Sequence, residues 1–366
     1  VDWTFPEPLR HLQGEARDFA REWTSNLEIR EDSWMIGHSR EVNAALAERG
    51  WIGMTWPRRV GGGGRSELER FIVFETLIAH GVPIAGAWIA DRQIGPVLIR
   101  YGSEAQKAEL IPDIIAGRST WCIGMSEPDA GSDLASIRTR AEHVDGGYIV
   151  SGQKIWTSGA MHANWCYLIG RTSGDAPSHD GLSEFVLDMR APGIDVRPIK
   201  DATGDQHFCE IYLSGVRVPE SALVGTPNAA FRQTMRQLEF ERGGIDRLVS
   251  NRALYEAALA AADMSDPRVR QTIGRLECGY AIGRDMVLRN VLGQAPAGYS
   301  AVTKIFCTEL EQAVADFAAS VFGAEVLTSS RLSRAWAYAP AYTIQGGTTS
   351  VLRNVVADRV LGLPRR

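Results

Sequence analysis

The chain has 366 residues, 45% of them hydrophobic and 23% charged, with a formal net charge of −5. That length accommodates two or three packed units with sizeable cores, and the composition is that of a globular protein with no bias toward nucleic-acid binding. Five cysteines, at 122, 166, 209, 278 and 307, form no close Cys-x-x-Cys pair and predict reduced thiols, not a disulfide framework or a zinc knot.

The first residues, Val1-Asp-Trp-Thr-Phe5, lack the basic start and apolar core of a signal peptide. No apolar run reaches the roughly 18–20 residues that span a bilayer. A cytoplasmic protein is therefore expected.

Residues 1–119 read as helical. Leu9 to Trp23 is periodic, and Ser39 is placed to cap a helix running to Arg49, with Val42 and Leu46 on one face. Pro57 and the glycines at 61–64 break the pattern into a loop. Helix returns from Ser66 to His80, where Leu68, Phe71, Ile72, Phe74 and Leu77 share a face, and again from Glu104 to Ile115, with Ser103 at its start and Gly117 at its end.

The composition changes near Ser119. Strands are predicted at Tyr148 to Ser151, Trp165 to Gly170, Leu182 to Asp188, Ile194 to Ile199 and Cys209 to Leu213, with Asp145-Gly-Gly147 as a hairpin turn. Helix resumes from Ala229. It continues through Ala253 to Ala262, Arg270 to Leu292, Thr303 to Phe322 and Leu332 to Ala339. The order helical, β, helical gives domains at 1–119, 120–226 and 227–366. It excludes a Rossmann reading, since strands do not alternate with helices and no Gly-x-Gly-x-x-Gly follows a strand. The seven histidines show no ligand spacing, so no metal is expected.

Two blocks carry chemistry. Met125-Ser-Glu-Pro-Asp-Ala-Gly-Ser-Asp133 offers the hydroxyls of Ser126 and Ser132, and Gly131 permits close backbone approach. Lys154-Ile-Trp-Thr-Ser-Gly159 offers Trp156 to pack on an aromatic ring and Thr157 and Ser158 as donors to ring heteroatoms. Enzymes that remove hydride from carbon hold a redox cofactor in such a frame. Either block alone reads equally as a turn, and the tryptophan as core.

Together with Leu238-Glu-Phe-Glu-Arg-Gly-Gly244, Gly346-Gly-Thr-Thr-Ser-Val-Leu-Arg353 and Arg359-Val-Leu-Gly-Leu-Pro364, these blocks resemble the acyl-CoA dehydrogenase family over nearly the whole chain. The resemblance implies an N-terminal helical domain, a middle β-barrel or sandwich domain and a C-terminal four-helix bundle. It implies FAD, with Met125 and Ser126 at the pyrimidine end, Trp156 to Ser158 along the isoalloxazine with Thr157 near N5, and Gly131 and Ser132 beside the flavin. Ser132 also lies toward the CoA-bearing substrate. Gly323, Thr348 and Ser350 match further FAD-contacting positions.

Abstraction of an α-proton from a thioester needs a poised base and stabilisation of the developing oxyanion. In the commoner branch of the family the base lies directly before Gly-Thr near the C-terminus. That position is Gly346 here, with Gln345 beside it. The isovaleryl and long-chain branches place the base directly before an arginine on the first helix after the β-domain, which is Glu241 before Arg242. The resemblance makes Glu241 the base, places the Gly346 N–H on the thioester oxygen, and puts Arg242 and Glu239 near the CoA portion. Gly243 and Gly244 follow in what should be helix.

The family's Arg-x-x-Phe-Gly is missing from Ala261 to Arg270, where Arg268 or Arg270 stands as a substitute. Gln-x-x-Gly-Gly-x-Gly is replaced by Ser320-Val-Phe-Gly-Ala-Glu-Val326. Both elements reach a neighbouring subunit's FAD in relatives. Their alteration points either to an unlike-subunit heterotetramer, as in bacterial dehydrogenases of steroid side chains, or to drift within an actinobacterial-type homodimer or homotetramer. The expected reaction is dehydrogenation of an acyl-CoA to a trans-2-enoyl-CoA, with electron-transfer flavoprotein as acceptor. The alternatives are an acyl-CoA oxidase, a dehydrogenase of carrier-tethered acyl groups, and a non-catalytic partner subunit.

Overall fold

The computed structural model describes residues 5–27, 29–235 and 243–364. By packing, the chain falls into two units, one of Met35–Gly64 with Pro83–Gln237 and one of Val1–Trp34, Arg65–Val82 and Leu238–Arg366.

The first unit is organised on an eight-stranded sheet. Its strands are β1 (Trp121–Gly124), β2 (Arg140–Val144), β3 (Gly147–Lys154), β4 (Trp165–Arg171), β5 (Leu182–Asp188), β6 (Ile194–Ile199), β7 (Phe208–Pro219) and β8 (Leu223–Val224). The order is β6-β7-β3-β2-β4-β5-β8, with β1 added in parallel to β4. β2 and β3 form the hairpin expected at Asp145-Gly-Gly147, pairing Val144 with Gly147 across Gly146 at φ 80°. Cys122, Val150, Cys166, Phe185, Ile211 and Val216 are among the residues that close the core beneath the sheet. The five strands expected from composition are present. β2 was illegible because only Ala141 of Arg-Ala-Glu-His-Val is buried, so the strand carries almost no apolar signal. All five cysteines are free thiols.

Helices flank this sheet. Ser39 caps Arg40–Glu48 by accepting from the Val42 N–H. Ser103 and Gln106 form a capping box at Glu104–Ile115, and the same Gln106 donates Nε2 to the carbonyls of Ser221 (2.7 Å) and Leu223 (3.0 Å), pinning the helix to the β8 edge. A helical run that composition did not announce occupies Ala85–Ile89, a π-turn at Ala90–Ile94 and Gly95–Tyr101. Gly86, Gly95 and Pro96 lower its intrinsic propensity. Gly95 is there for space, since a Cβ would lie 2.0 Å from the Trp56 ring. We expect Gly95→Ala to lower unfolding free energy by about 1–3 kcal/mol through overpacking. Denaturant titration checks this, and an unchanged midpoint would mean that the ring is free to shift.

In the second unit, Ser66 and Glu69 build a capping box on Glu67–Ala79, which packs against Glu7–Thr24. The Tyr299–Phe322 helix is the hub of the C-terminal bundle. Arg252–Ala261, Pro267–Val291 and Ser330–Tyr342 pack around it, followed by Thr349–Val355. Asp266 accepts from the Arg268 N–H as N-cap of Pro267–Val291, and proline is tolerated at the first helical position. Arg284 reaches Glu75 with two nitrogens at 2.6 and 3.0 Å, a bidentate clamp from this helix to Glu67–Ala79.

The expectation of helix at Gly243-Gly244 is corrected. Residues 243–245 lie in a turn ahead of the short helix Asp246–Val249, so these glycines are not helix interior. A Cβ on Gly243 would meet the Asn290 side chain at 2.9 Å, so close approach by a neighbouring helix accounts for glycine there. Among the described residues no helix is long and apolar enough to cross a membrane.

Candidate active site

The blocks at 125–133 and 154–159 meet on the sheet-bearing unit. Met125 and Ser126 continue from the end of β1, and Glu127 to Ala130 close a tight turn with reciprocal backbone bonds of 3.0 Å. Ile155, just past β3, donates its N–H to the Ser126 carbonyl at 2.9 Å. Thr157 exchanges backbone bonds with Cys209 at the start of β7 (3.0 and 3.2 Å).

Trp156 is the anomaly in this strip. It is 55% exposed, and its φ of 59° is a left-handed value that a bulky side chain adopts only at a cost of about 1–3 kcal/mol. The fold holds it there with its ring edge-on to Phe208, centroids 5.6 Å apart. Next to it, the Thr157 hydroxyl is buried with no hydrogen-bond partner among the described residues. A strained, exposed aromatic face beside an orphaned buried hydroxyl fits a planar heteroaromatic group with polar ring atoms. Ser158 is half-buried in the same strip. Gly131 and Ser132 are exposed, and a Cβ on Gly131 would touch nothing, so no neighbouring protein atom requires glycine there.

Two groups that sequence reasoning passed over support this wall. Lys154 is fully buried, and its Nζ donates to Glu127 Oε1 at 2.8 Å and to the Met125 carbonyl at 3.1 Å. Burial lowers the Lys154 pKa, and Glu127 opposes that shift. Burial acts to raise the Glu127 pKa, but Lys154 and the N–H donors of Arg138 (2.6 Å) and Thr139 (2.9 Å) outweigh it, so the carboxyl sits below its ordinary range. Nothing in the sequence signals this burial, since Ser151, Gly152 and Gln153 precede Lys154 and mark an ordinary polar strand end. His38 lies behind the strip, where a Cβ on Gly159 would meet its Nε2 at 2.7 Å. Its ring lies tilted beside that of His162, centroids 4.8 Å apart, and burial with the nearby His162 and His207 lowers its pKa to about 4, so it is neutral at physiological pH. These histidines are distant in sequence and gather only in the fold. Among the described residues no group of ligating side chains can hold a metal.

The other expected site residues belong to the second unit. Gly346 and Gly347 both take left-handed φ values, 69° and 96°, in a turn that Thr349 closes by donating its N–H to the Thr343 carbonyl at 2.9 Å. Successive left-handed residues call for glycine, and a glutamate at 346 would be strained as well as chemically different. Gln345 Oε1 accepts from the Tyr338 hydroxyl at 3.4 Å. Thr348 is the N-cap of Thr349–Val355, its hydroxyl accepting from the Val351 N–H at 3.2 Å, and Ser350 is exposed in the first turn. Gly323 ends Tyr299–Phe322 with a left-handed φ of 56°. Arg268 is occupied by Asp266, and Arg270 by the carbonyls of Met264 and Ser265. Glu239, Glu241 and Arg242 lie outside the described residues.

Trp88 is buried, and Asp91 accepts from the Gly53 N–H at 2.7 Å. Asp91 thus holds a turn of the fold.

Family models described as acyl-CoA dehydrogenase N-terminal, middle and C-terminal domains match residues 6–118, 122–216 and 230–361. The chain is 35% identical to acyl-CoA dehydrogenase FadE34 of Mycobacterium tuberculosis over 88% of its own length but only 46% of that protein's, so it spans about half of this relative. It is 33% identical to acyl-CoA dehydrogenase IpdE1 of the same organism, over 89% of this chain and 88% of that one. Among solved structures, the Tcur3481-Tcur3483 steroid ACAD superposes with a TM-score of 0.90 at 30% identity, covering 100% of both chains. The ChsE4-ChsE5 complex from Mycobacterium tuberculosis gives a TM-score of 0.85 at 26% identity, again covering 100% of both chains.

Proposed function

The chain belongs to the acyl-CoA dehydrogenase family, and we propose that it carries out FAD-dependent α,β-dehydrogenation of an acyl-CoA thioester to the trans-2-enoyl-CoA. The observation that carries this reading furthest is the strip at 156–157. There a strained, exposed tryptophan and an orphaned buried hydroxyl stand where a flavin ring would be packed and hydrogen-bonded. FAD, when bound, supplies the acceptor for the β-hydride at N5.

Every other task falls to the chain. Met125 and Ser126 hold the pyrimidine end and Thr157 donates near N5, with Trp156, Ser158, Gly131 and Ser132 completing the wall. Gly323, Thr348 and Ser350 contribute further FAD contacts. Glu241 removes the α-proton, the Gly346 N–H stabilises the thioester oxygen, and Arg242, Glu239 and Ser132 meet the CoA-bearing part of the substrate. The three domains run over 1–119, 120–226 and 227–366, a division supported by the three family-model matches.

We assign a bulky, steroid-like acyl group as the substrate class, supported by the likeness to a steroid ACAD. Assembly with an unlike acyl-CoA dehydrogenase subunit is favoured over a homomer. The altered segments at 261–270 and 320–326 support it, as do the two-component relatives Tcur3481-Tcur3483 and ChsE4-ChsE5. Electron-transfer flavoprotein is the proposed acceptor and the cytoplasm the proposed location.

The test is the visible spectrum of the purified protein under anaerobic addition of acyl-CoAs of graded bulk. We expect a flavin band that bleaches most with a polycyclic acyl-CoA. A protein that stays colourless with added FAD, alone and with a candidate partner subunit, would overturn the reading.

A further inference from the structure

The two strips of the proposed flavin wall come from strands that the sheet does not pair. β1 hydrogen-bonds to β4, β3 to β2 and β7, and β2 lies between β3 and β4 in the order. The ladder therefore does not fix the separation of residues 125–126 from residues 156–158. Two contacts do so. One is the Ile155 N–H to the Ser126 carbonyl at 2.9 Å. The other is Lys154 Nζ to the Met125 carbonyl at 3.1 Å.

The second contact also sets an orientation. The Met125 carbonyl and the Ser126 N–H belong to one trans peptide plane and point in opposite directions. Drawing the carbonyl toward Lys154 turns the Ser126 N–H away from it. Lys154 is itself held by Glu127, whose two oxygens take Nζ and the N–H groups of Arg138 and Thr139, so neither partner can relax into solvent. Leu168 and Cys166 crowd the base of the arrangement, where a Cβ on Gly124 would fall 2.9 and 3.1 Å from them and 3.4 Å from Lys154 Cγ. The ammonium is thereby confined to one place. A purely structural ion pair would need no third contact to a carbonyl of the cofactor-facing strip.

We propose that Lys154, anchored by Glu127, is a positioning residue that locks the Met125–Ser126 peptide in the orientation required to bind the pyrimidine edge of the flavin. This rests on the assignment of the strip as the flavin wall. Each member of the pair favours the charged form of the other: Glu127 opposes the fall in the Lys154 pKa that burial causes, and Lys154 helps to hold the Glu127 carboxyl below its ordinary range.

The experiment titrates apoprotein with FAD and follows quenching of flavin fluorescence, alongside the thermal midpoint of each apoprotein. Lys154→Met leaves the buried Glu127 carboxylate without its cation, held by the Arg138 and Thr139 N–H groups alone, so it should lower both the midpoint and the FAD affinity. The decisive variant is the neutral double substitution Lys154→Met with Glu127→Gln, which removes the stranded charge but also the clamp. We expect it to recover most of the thermal midpoint while FAD affinity stays at least about tenfold weaker than wild type, a loss of roughly 1.4 kcal/mol in binding. Lys154→Arg, which retains a donor toward the carbonyl, should bind FAD more tightly than the double variant. If the double variant recovers affinity along with stability, the pair is structural only and the proposal fails. Wild-type apoprotein that takes up no FAD, alone or with a partner subunit, would overturn the flavin-wall assignment itself, which is a different outcome.

Discussion

Glu241→Gln should abolish α-proton exchange and flavin reduction by acyl-CoA while leaving FAD bound. The amide keeps the size and shape of the carboxylate but cannot accept the proton. A positioned general base contributes roughly 10²–10⁴-fold, so a loss of at least that size is expected in the rate of flavin bleaching under single turnover. The argument is eliminative as well as positive. The alternative location of the base holds Gly346, and its left-handed φ of 69° and that of Gly347 at 96° make the turn hostile to a glutamate. Gln345 beside it has no proton-accepting carboxylate. Two readouts separate the mechanism from a folding defect: the flavin spectrum of the variant, which should match wild type, and exchange of the substrate α-proton with solvent deuterium, which should stop. Normal bleaching by Glu241→Gln would remove it as the base. The complementary substitution Gly346→Glu should not restore activity, because it puts a side chain into a glycine conformation as well as moving the base.

Strands and helices with clean periodicity were legible. Ser39, Ser66 and Ser103 each cap the helix that their position announced, two of them with the Glu or Gln that completes a capping box. What hid the remaining elements differs from case to case. β2 buries one alanine and exposes its polar residues, so no apolar alternation marks it. The run from Ala85 to Tyr101 contains two glycines chosen for clearance from Asn43 and Trp56 rather than for helicity, and local propensity points the wrong way. The candidate site divides similarly. The residue types of the proposed flavin wall stand in the sequence as the blocks at 125–133 and 154–159, but it is the resemblance that singles them out, since either block alone reads as a turn. The Lys154–Glu127 clamp and the approach of His38 to Gly159 depend on strand order, and no spacing in the sequence encodes which strands are neighbours.

Replacing Glu311 by glutamine should flatten the pH dependence of stability and make the protein more resistant to denaturant at pH 8. Glu311 sits on the Tyr299–Phe322 hub helix, almost wholly buried. Burial pushes its pKa up to about 8, with the neighbouring Asp246 carboxylate acting in the same sense, while hydrogen bonds from Ser250 and the charge of Arg247 pull it down. Asn251 donates to the Glu311 carbonyl at 2.8 Å, and Cys307, Tyr280 and Tyr342 are the other titratable groups within its electrostatic reach. Its Oε2 has no hydrogen-bond partner among the described residues, so an ionised carboxyl here would carry charge on an unsolvated oxygen. The folded chain therefore keeps its proton where the unfolded chain, with the ordinary value of 4.5, releases it. Between about pH 4.5 and 8 unfolding releases a proton, and stability falls as pH rises, by up to about 1.4 kcal/mol per pH unit from this group. Below pH 4.5 both states are protonated and the slope from this group vanishes. Glu184, whose pKa burial raises to about 7, adds a slope of the same sign over a narrower window, and it is present in wild type and variant alike. The difference between the two proteins in urea midpoint, taken at pH 5, 6.5 and 8, therefore isolates Glu311. A difference that does not widen toward pH 8 would mean that the carboxyl ionises inside the bundle. Arg247, the cation that already pulls the Glu311 pKa down, would then be its counter-charge.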